Sequence, residues 1–407
     1  MTASIPDARR LALLRRARIA TIAFFAINGV VGFSILPRLA EIQQRAGLDD
    51  AGLGIALAVG TAGGLVVGPI AGVLVHRWGA VVTTGVMGLL GLPGLVIIGF
   101  ATSGIALALG FFVLLAADAV MDAGMNTRAL QIQAAYRRTI VNSFHGWWSL
   151  ATIIGSGLGA GSAVIGISLP VLTIVIVVLA AIATAIAWRL DSVDIPIESS
   201  PDQPRLQPRL RHRRTATMTM LRGGGLALIA FIMLAVTVED VPVRWGSVYL
   251  EELTASATVI AIAYLVMTST MTIGRFLGDR IVDRYGQAVV VRASMVLVAV
   301  AMALALVQGS AAAFIIASGV SGLGVATLFP AAMQAASQLP GVSAAMGIAV
   351  ISWFSRLGFV LSPLVVGLVA QGVGLRAGLA ATVAAAAGLV LIAGVVGGSA
   401  HARRRHQ

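Results

Sequence analysis

The sequence predicts an all-α integral membrane protein, with twelve transmembrane helices in two pseudo-symmetric six-helix halves. Three observations carry this expectation: composition, the length of the apolar runs, and the alternation of arginine along the chain. Of 407 residues, 58% are hydrophobic and 11% charged, and the mean hydropathy is +0.96. A soluble chain carries roughly 25% charged residues. So little polar surface cannot cover a water-soluble body of this size. A soluble enzyme, a nucleic-acid module and a disordered chain are thereby excluded.

A spanning helix needs about 20 mostly apolar residues to cross a ~30 Å hydrocarbon core. Such runs fall near 19–38, 51–75, 81–100, 105–130, 143–165 and 169–188 in the first half. In the second half they fall near 223–248, 255–277, 288–307, 311–335, 344–370 and 377–397. Runs this continuous lack the alternation of a membrane barrel. The expected organisation is a six-helix half over 1–190, a linker over 191–222, a second half over 223–397 and a basic tail over 398–407. The linker holds Pro196, Pro201, Pro204 and Pro208, with an arginine cluster from Arg209 to Arg214. It reads as a flexible cytoplasmic segment able to touch anionic lipid.

The +12 balance arises from 28 arginines, because lysine is absent. Twenty-two of them fall before the first run or in alternate connections, and only Arg38, Arg45, Arg244 and Arg376 fall on the other side. The positive-inside rule then places both termini in the cytoplasm, and the arginine-only usage suggests a GC-rich bacterial genome, so a multi-pass protein of a bacterial cytoplasmic (inner) membrane is expected. Topology explains the basic character, and no nucleic-acid partner is expected. Cysteine is absent, which excludes disulfides and thiolate chemistry. The five histidines lie at helix ends or in the tails without metal-ligand spacing, so neither a metal nor an enzymatic site is expected.

The halves repeat one another. His76-Arg77-Trp78-Gly79 after the second run corresponds to Asp283-Arg284-Tyr285-Gly286 after the eighth, Arg38 to Arg244, and Trp148 to Trp353. Their shared order and near-constant offset indicate a duplication, as in transporters built from parallel repeats. Gly60, Gly64, Gly68 and Gly72 recur every four residues, and Gly155 with Gly159 and Gly274 with Gly278 repeat the spacing. Small faces of this kind let helix backbones approach closely in lipid.

These residues resemble the major facilitator superfamily (MFS) across nearly the whole chain. The family's Gly-x-x-x-Asp-Arg-x-Gly loop has a first counterpart in Gly72 to Gly79, with His76 in place of the aspartate, and a second in Gly278 to Gly286. The stretches Gly274 to Arg280, Asp122 to Asn126 and Ser143 to Gly146 are similar to a little-characterised bacterial branch distantly related to sugar permeases. The resemblance implies a secondary active transporter with alternating access. In it Gly72, Arg77, Gly79, Asp279, Arg280, Asp283 and Arg284 would form a conformational latch, the aspartates capping a helix start and pairing with arginine. The alternative for these residues is a set of solvated loop charges.

Ionisable residues at depth are costly and need a reason. Counting ~1.5 Å per residue puts Asn28 ~14 Å into the first span, Asp118 and Asp122 ~20 and ~26 Å into the fourth, and Glu239 with Asp240 ~20 Å into the seventh. Asp118, Asp122 and Asn126 form one stripe at four-residue steps. The resemblance implies that spans 1, 4, 7 and 10 line a central cavity, and Asn28, Asp118 and Glu239 or Asp240 come from three of these. Burial and mutual repulsion favour the protonated form of a carboxylate, so Asp118, Asp122, Glu239 and Asp240 are candidate proton-coupling groups. Asn28, Asn126 and Arg356 are candidate cavity residues, Arg356 serving either an anionic substrate or an internal ion pair. Glu239 and Asp240 could alternatively sit at a helix end broken near Pro242. Arg128 is expected to snorkel towards the surface. His145 is a candidate cytoplasmic gate, set against simple interfacial anchoring of His145, Trp147 and Trp148.

Without lysine there is no Walker motif for nucleotide hydrolysis. The proton gradient is therefore the expected energy source, and no cofactor is needed. The expected activity is proton-coupled efflux of a small molecule by antiport, from a monomer whose other partners are protons and membrane lipid. Proton symport of a sugar or organic anion is the alternative. It gains weight because Gly155 to Gly161 lacks the Gly-Pro signature common in family exporters.

Overall fold

A computed structural model describes residues 7–136, 140–191, 224–339 and 344–397. Among the described residues the chain is helical throughout, joined by short turns. Contacts divide it into two compact units, Met1–Ile35 with Val59–Leu206 and Leu36–Ala58 with Gln207–Gln407. The expected linker (apart from Asp191) and the basic tail lie outside the described residues.

The first unit contains most of α1 (Asp7–Phe33), the later turns of α3 (Asp50–Trp78), and α4 (Ala80–Phe100), α5 (Gly104–Tyr136), α6 (Val141–Val164) and α7 (Leu169–Asp191). Here α4 packs on α5 and α7, while α1 packs on α6, α7 and α5. Phe24, Phe25, Met121, Met125 and Phe144 are buried where α1, α5 and α6 meet. One face of α7 instead exposes Ile174, Val178, Ile182 and Ile186. Water would penalise that surface, but hydrocarbon does not.

The second unit contains the short α2 (Leu39–Arg45), the first turns of α3, and α8 (Gly225–Glu252), α9 (Ala257–Tyr285), α10 (Gln287–Gln308), α11 (Ala311–Val325), α12 (Leu328–Ser337), α13 (Ala344–Val373) and α14 (Leu375–Ile392). α8 is central and packs on α13 and α14. Phe231, Ile232, Val238, Met295, Leu328, Ile351 and Leu389 form its core. The start of α3 joins this unit because glycines admit close contact. A Cβ on Gly54 would lie 2.5 Å from the Pro363 carbonyl oxygen, and one on Gly367 would lie 2.5 Å from that of Asp50.

Among the described residues eleven helical stretches are long and apolar enough to cross a membrane. α6, diluted by glycine and serine, falls short of that measure, and counted with the eleven it makes the helices correspond in order to the apolar runs of the sequence. Three details differ from expectation. The first helix ends at Phe33, whose carbonyl Pro37 cannot serve for want of an N–H, and α2 follows outside it. The tenth span is two helices, α11 and α12, parted at Ala326 and Thr327. Pro330 supplies no N–H for the Ala326 carbonyl there. The seventh span, by contrast, runs unbroken through Pro242, so Glu239 and Asp240 sit inside a helix and not at a broken end. The Tyr264 hydroxyl donates to the Val243 carbonyl beside that proline, tying α9 to α8 there, while the carbonyl that loses its N–H partner to the ring is that of Val238.

The repeated Arg-aromatic-Gly motif has one structural meaning in both halves. Gly79 joins α3 to α4 with φ 82° and ψ 155°, and Gly286 joins α9 to α10 with φ 83° and ψ 147°. Positive φ with extended ψ is accessible essentially to glycine alone. Each glycine is also the N-cap of the following helix, without a side-chain cap.

Candidate functional site

In the first unit, close approach of α1 and α6 builds a polar cluster. A Cβ on Gly29 would lie 2.8 Å from the Trp148 carbonyl oxygen, and one on Gly155 would lie 2.7 Å from that of Val30. Only glycine at these positions lets the backbones come so near. That approach carries the Trp148 indole to Asn28: its Nε1–H donates to Asn28 Oδ1 at 2.8 Å. The same amide donates from Nδ2 to Asp118 Oδ1 on α5 at 2.5 Å. Phe33 meets the indole edge-on, with ring centroids 5.7 Å apart. Asn28, Asp118 and Trp148 are all half-buried, so the cluster is reachable and not sealed in a core.

Asp122 has its own amide partner one turn along α5, Asn126 Nδ2 at 2.9 Å. The two carboxylates share a helix face, each with its own donor. His145 is exposed and meets Phe25 edge-on at 5.2 Å.

Arg128 does not snorkel. It is buried against Asp191 at the end of α7, with Nε to Oδ2 at 3.0 Å and Nη2 to Oδ1 at 2.5 Å. A carboxylate in the same layer removes the reason to reach for the surface, and a guanidinium satisfies both its oxygens at once.

In the second unit, Asp240 is buried and accepts from Arg244 Nε at 2.5 Å, one turn later on α8. Ser362 on α13 lies beside the same carboxylate. Half-buried Glu239 interacts across α8 and α9 with Arg275. Asp240 is thus a buried carboxylate paired with Arg244, and Glu239 is the more accessible of the two. Arg356 lies half-buried in α13 and makes no hydrogen bond or ion pair with the described residues.

Gly72, Arg77 and Gly79 are exposed at the end of α3, and Arg280, Asp283 and Arg284 at the end of α9. Among the described residues none of these charges forms an ion pair with another. The Asp279 side chain lies outside the described set. Arg284 instead sits over the Tyr285 ring at 5.5 Å from its centroid.

The sequence reading brought Asn28 and Asp118 to one place but missed Trp148 and Asp191. Trp148 carried a signal in its correspondence with Trp353. Asp191 carried one as a lone carboxylate closing a long apolar helix. A polar set on the other side of the second unit was also missed: Gln43 to Asp50, Gln44 to Glu251 and Gln371 to Asp49, at 2.8, 2.5 and 2.8 Å.

No family model matches the chain. It is 28% identical over 354 residues to an uncharacterized MFS-type transporter of Yersinia pestis, covering 86% of this chain and 88% of that one. It is 26% identical over 370 residues to the membrane protein MosC of Rhizobium meliloti, covering 89% and 86%. Among solved structures it is similar to the nucleoside transporter NupG, with TM-score 0.71, 16% identity and coverage of 94% and 98%. It is also similar to the D-xylose-proton symporter, with TM-score 0.65, 13% identity and coverage of 95% and 97%.

Proposed function

We infer, for a chain that is a membrane transporter of the major facilitator type, that it couples solute movement to protons through Asp118. The observation that carries this reading is the Trp148–Asn28–Asp118 chain of hydrogen bonds. Asp118 Oδ1 accepts from Asn28 most strongly while the carboxylate is ionised. A proton bound there turns the carboxylate into a neutral acid, a weaker acceptor that carries an O–H donor of its own. The hold of α5 on Asn28 is then weakened, and that of Asn28 on the Trp148 indole with it. A proton on α5 is in this way translated into a change between α1 and α6, two helices that meet at their glycines. A proton-driven carrier needs a step of this kind.

Export of a small amphipathic molecule in exchange for protons is the proposed direction. Few charged groups stand at mid-depth, and a largely apolar path suits such a solute. Both termini are proposed to lie in the cytoplasm, with the protein a monomer in a bacterial inner membrane. Arg356, unpaired among the described residues, would add affinity for a solute carrying negative charge. The second reading, symport of a polar metabolite, is favoured by one observation. An amide, a carboxylate and an indole grouped within hydrogen-bonding distance are also the chemistry that holds a hydroxylated ring.

The test is transport in proteoliposomes with an imposed pH gradient. Export by antiport predicts that a transported compound alkalinises a preacidified lumen, whereas symport predicts that an inward substrate gradient acidifies it. In either case Asp118→Asn should abolish gradient-driven accumulation while leaving solute exchange across the membrane measurable. Undiminished accumulation with Asp118→Asn would overturn the assignment of Asp118.

A further inference from the structure

A prominent groove among the described residues lies outside both polar clusters. It occupies about 920 Å³ in the second unit, with Ile281 and Tyr285 of α9 on one wall, Val289, Leu297 and Leu304 of α10 on the other, and Leu323 of α11 in its floor. It exists because α9 and α10 both pack on α11 yet hardly touch one another beyond their junction at Gly286. Ala312, Ala313 and Gly324 keep the floor low.

Its shape is uneven along the membrane. The α10 wall runs from Val289 to Gln308, which at ~1.5 Å per residue is ~28 Å, nearly the full hydrocarbon thickness. The α9 wall reaches only from Tyr285 back to Gly274, ~16 Å, or about half of it. The groove is therefore walled on both sides in one leaflet only, the leaflet at the Gly286 end. Leu277, Ile281, Tyr285, Val289 and Leu297 are exposed there. A concave apolar surface of this volume gains contacts only when an apolar chain fills it.

The mouth of the walled end is basic. Arg284 sits over the ring of Tyr285, itself a lining residue, at 5.5 Å. Arg280 is exposed one turn earlier on the same helix face. Near this end the chain carries three arginines, Arg280, Arg284 and Arg292, against Asp279 and Asp283. Cations held at the headgroup level above an acyl-sized slot are complementary to an anionic phospholipid.

We propose that this groove is a binding site for an anionic phospholipid of the leaflet at the Gly286 end, one acyl chain lying between α9 and α10 and the headgroup phosphate held by Arg284 and Arg280. The site lies on the membrane-facing side of one unit and is independent of the proton-coupling cluster. An occupied groove would fix the spacing of α9 and α10, so bound lipid would stiffen this hairpin.

The test uses the full chain in mild detergent, titrated separately with dioleoyl phosphatidylglycerol and dioleoyl phosphatidylcholine. Bound lipid is counted by native mass spectrometry. The anionic lipid should bind more tightly, by roughly fivefold for each arginine engaged. Arg280→Gln with Arg284→Gln should remove that preference while retaining binding of both lipids. Ala293→Trp, which fills the walled half, should empty the site for both, whereas Leu391→Trp on the lipid face of α14 should not. Equal affinity for the two lipids in the unaltered protein would overturn the headgroup assignment, and full occupancy in Ala293→Trp would overturn the groove. Should that variant not fold, a photoreactive acyl chain bound to the unaltered protein must label α9 or α10. Labelling confined to other helices would then count against the proposal.

Discussion

Asn28 uses both ends of its amide, accepting from an indole and donating to a carboxylate, and no other residue type of its size can do both. Asn28→Asp is therefore expected to lose the link to Asp118, by replacing a donor with a second acceptor, while Trp148 keeps its partner. Gradient-driven transport should fall at least as far as with Asn28→Ala, and assays in proteoliposomes would check this. The Arg128–Asp191 pair makes a different prediction. Removing one partner from a buried pair leaves an uncompensated charge and costs about 3–5 kcal/mol. Arg128→Ala should lower stability by that order in denaturant unfolding from mixed micelles, and Arg128→Met combined with Asp191→Leu should recover most of it. At this scale the sequence was half legible. Asn28 and Asp118 stood out because polar residues at depth are rare. Asp191 did not, because a carboxylate at a helix end is unremarkable until its partner is seen.

The elements were more legible than the residues. Apolar runs of about 20 residues have few alternatives in lipid, where backbone groups must be satisfied within the segment. What sequence missed were interruptions inside a run: the parting of α11 from α12 and the extra α2. Proline is ambiguous in such helices, because neighbouring side chains can satisfy the carbonyl it leaves. At Pro242 the helix continues although Val238 loses its N–H partner. The glycine junctions give the prediction at this scale. Gly79→Ala and Gly286→Ala should each destabilise by about 1–3 kcal/mol, since a Cβ is strained at that φ and ψ. Equal losses at the two sites in denaturant titrations would mark them as equivalents. Gly29→Leu should part α1 from α6 and weaken transport as severely as loss of the Trp148 hydrogen bond, without touching a polar atom.

For the whole molecule, the arginine distribution is the most informative property and also the easiest to test. The natural chain has no cysteine, so a single introduced thiol reports its own position. Ser256→Cys, at the exposed start of α9, should react with a membrane-impermeant maleimide in intact cells. Gln287→Cys, at the start of α10, should react only after the membrane is opened. The reverse pattern would invert the proposed orientation and with it the leaflet of the lipid groove. Fold class was readable from composition, run length and arginine alternation because the lipid solvent permits so few solutions. Substrate was not, because recognition depends on where a handful of half-buried side chains point.

The one-glycine junctions at Gly79 and Gly286 bear on how such a chain tolerates insertions and deletions. Helix-to-helix connections ordinarily absorb added residues, because a longer loop closes at little extra cost. Here there is no slack to absorb them. One residue inserted into α3 or α4 near the junction would turn the face beyond it by about 100°, swinging lipid-facing side chains inward. Length variation between relatives should therefore avoid these two joints and gather in the connections that are already long. The rotational phase between paired helices would then be held by a single backbone torsion in each half.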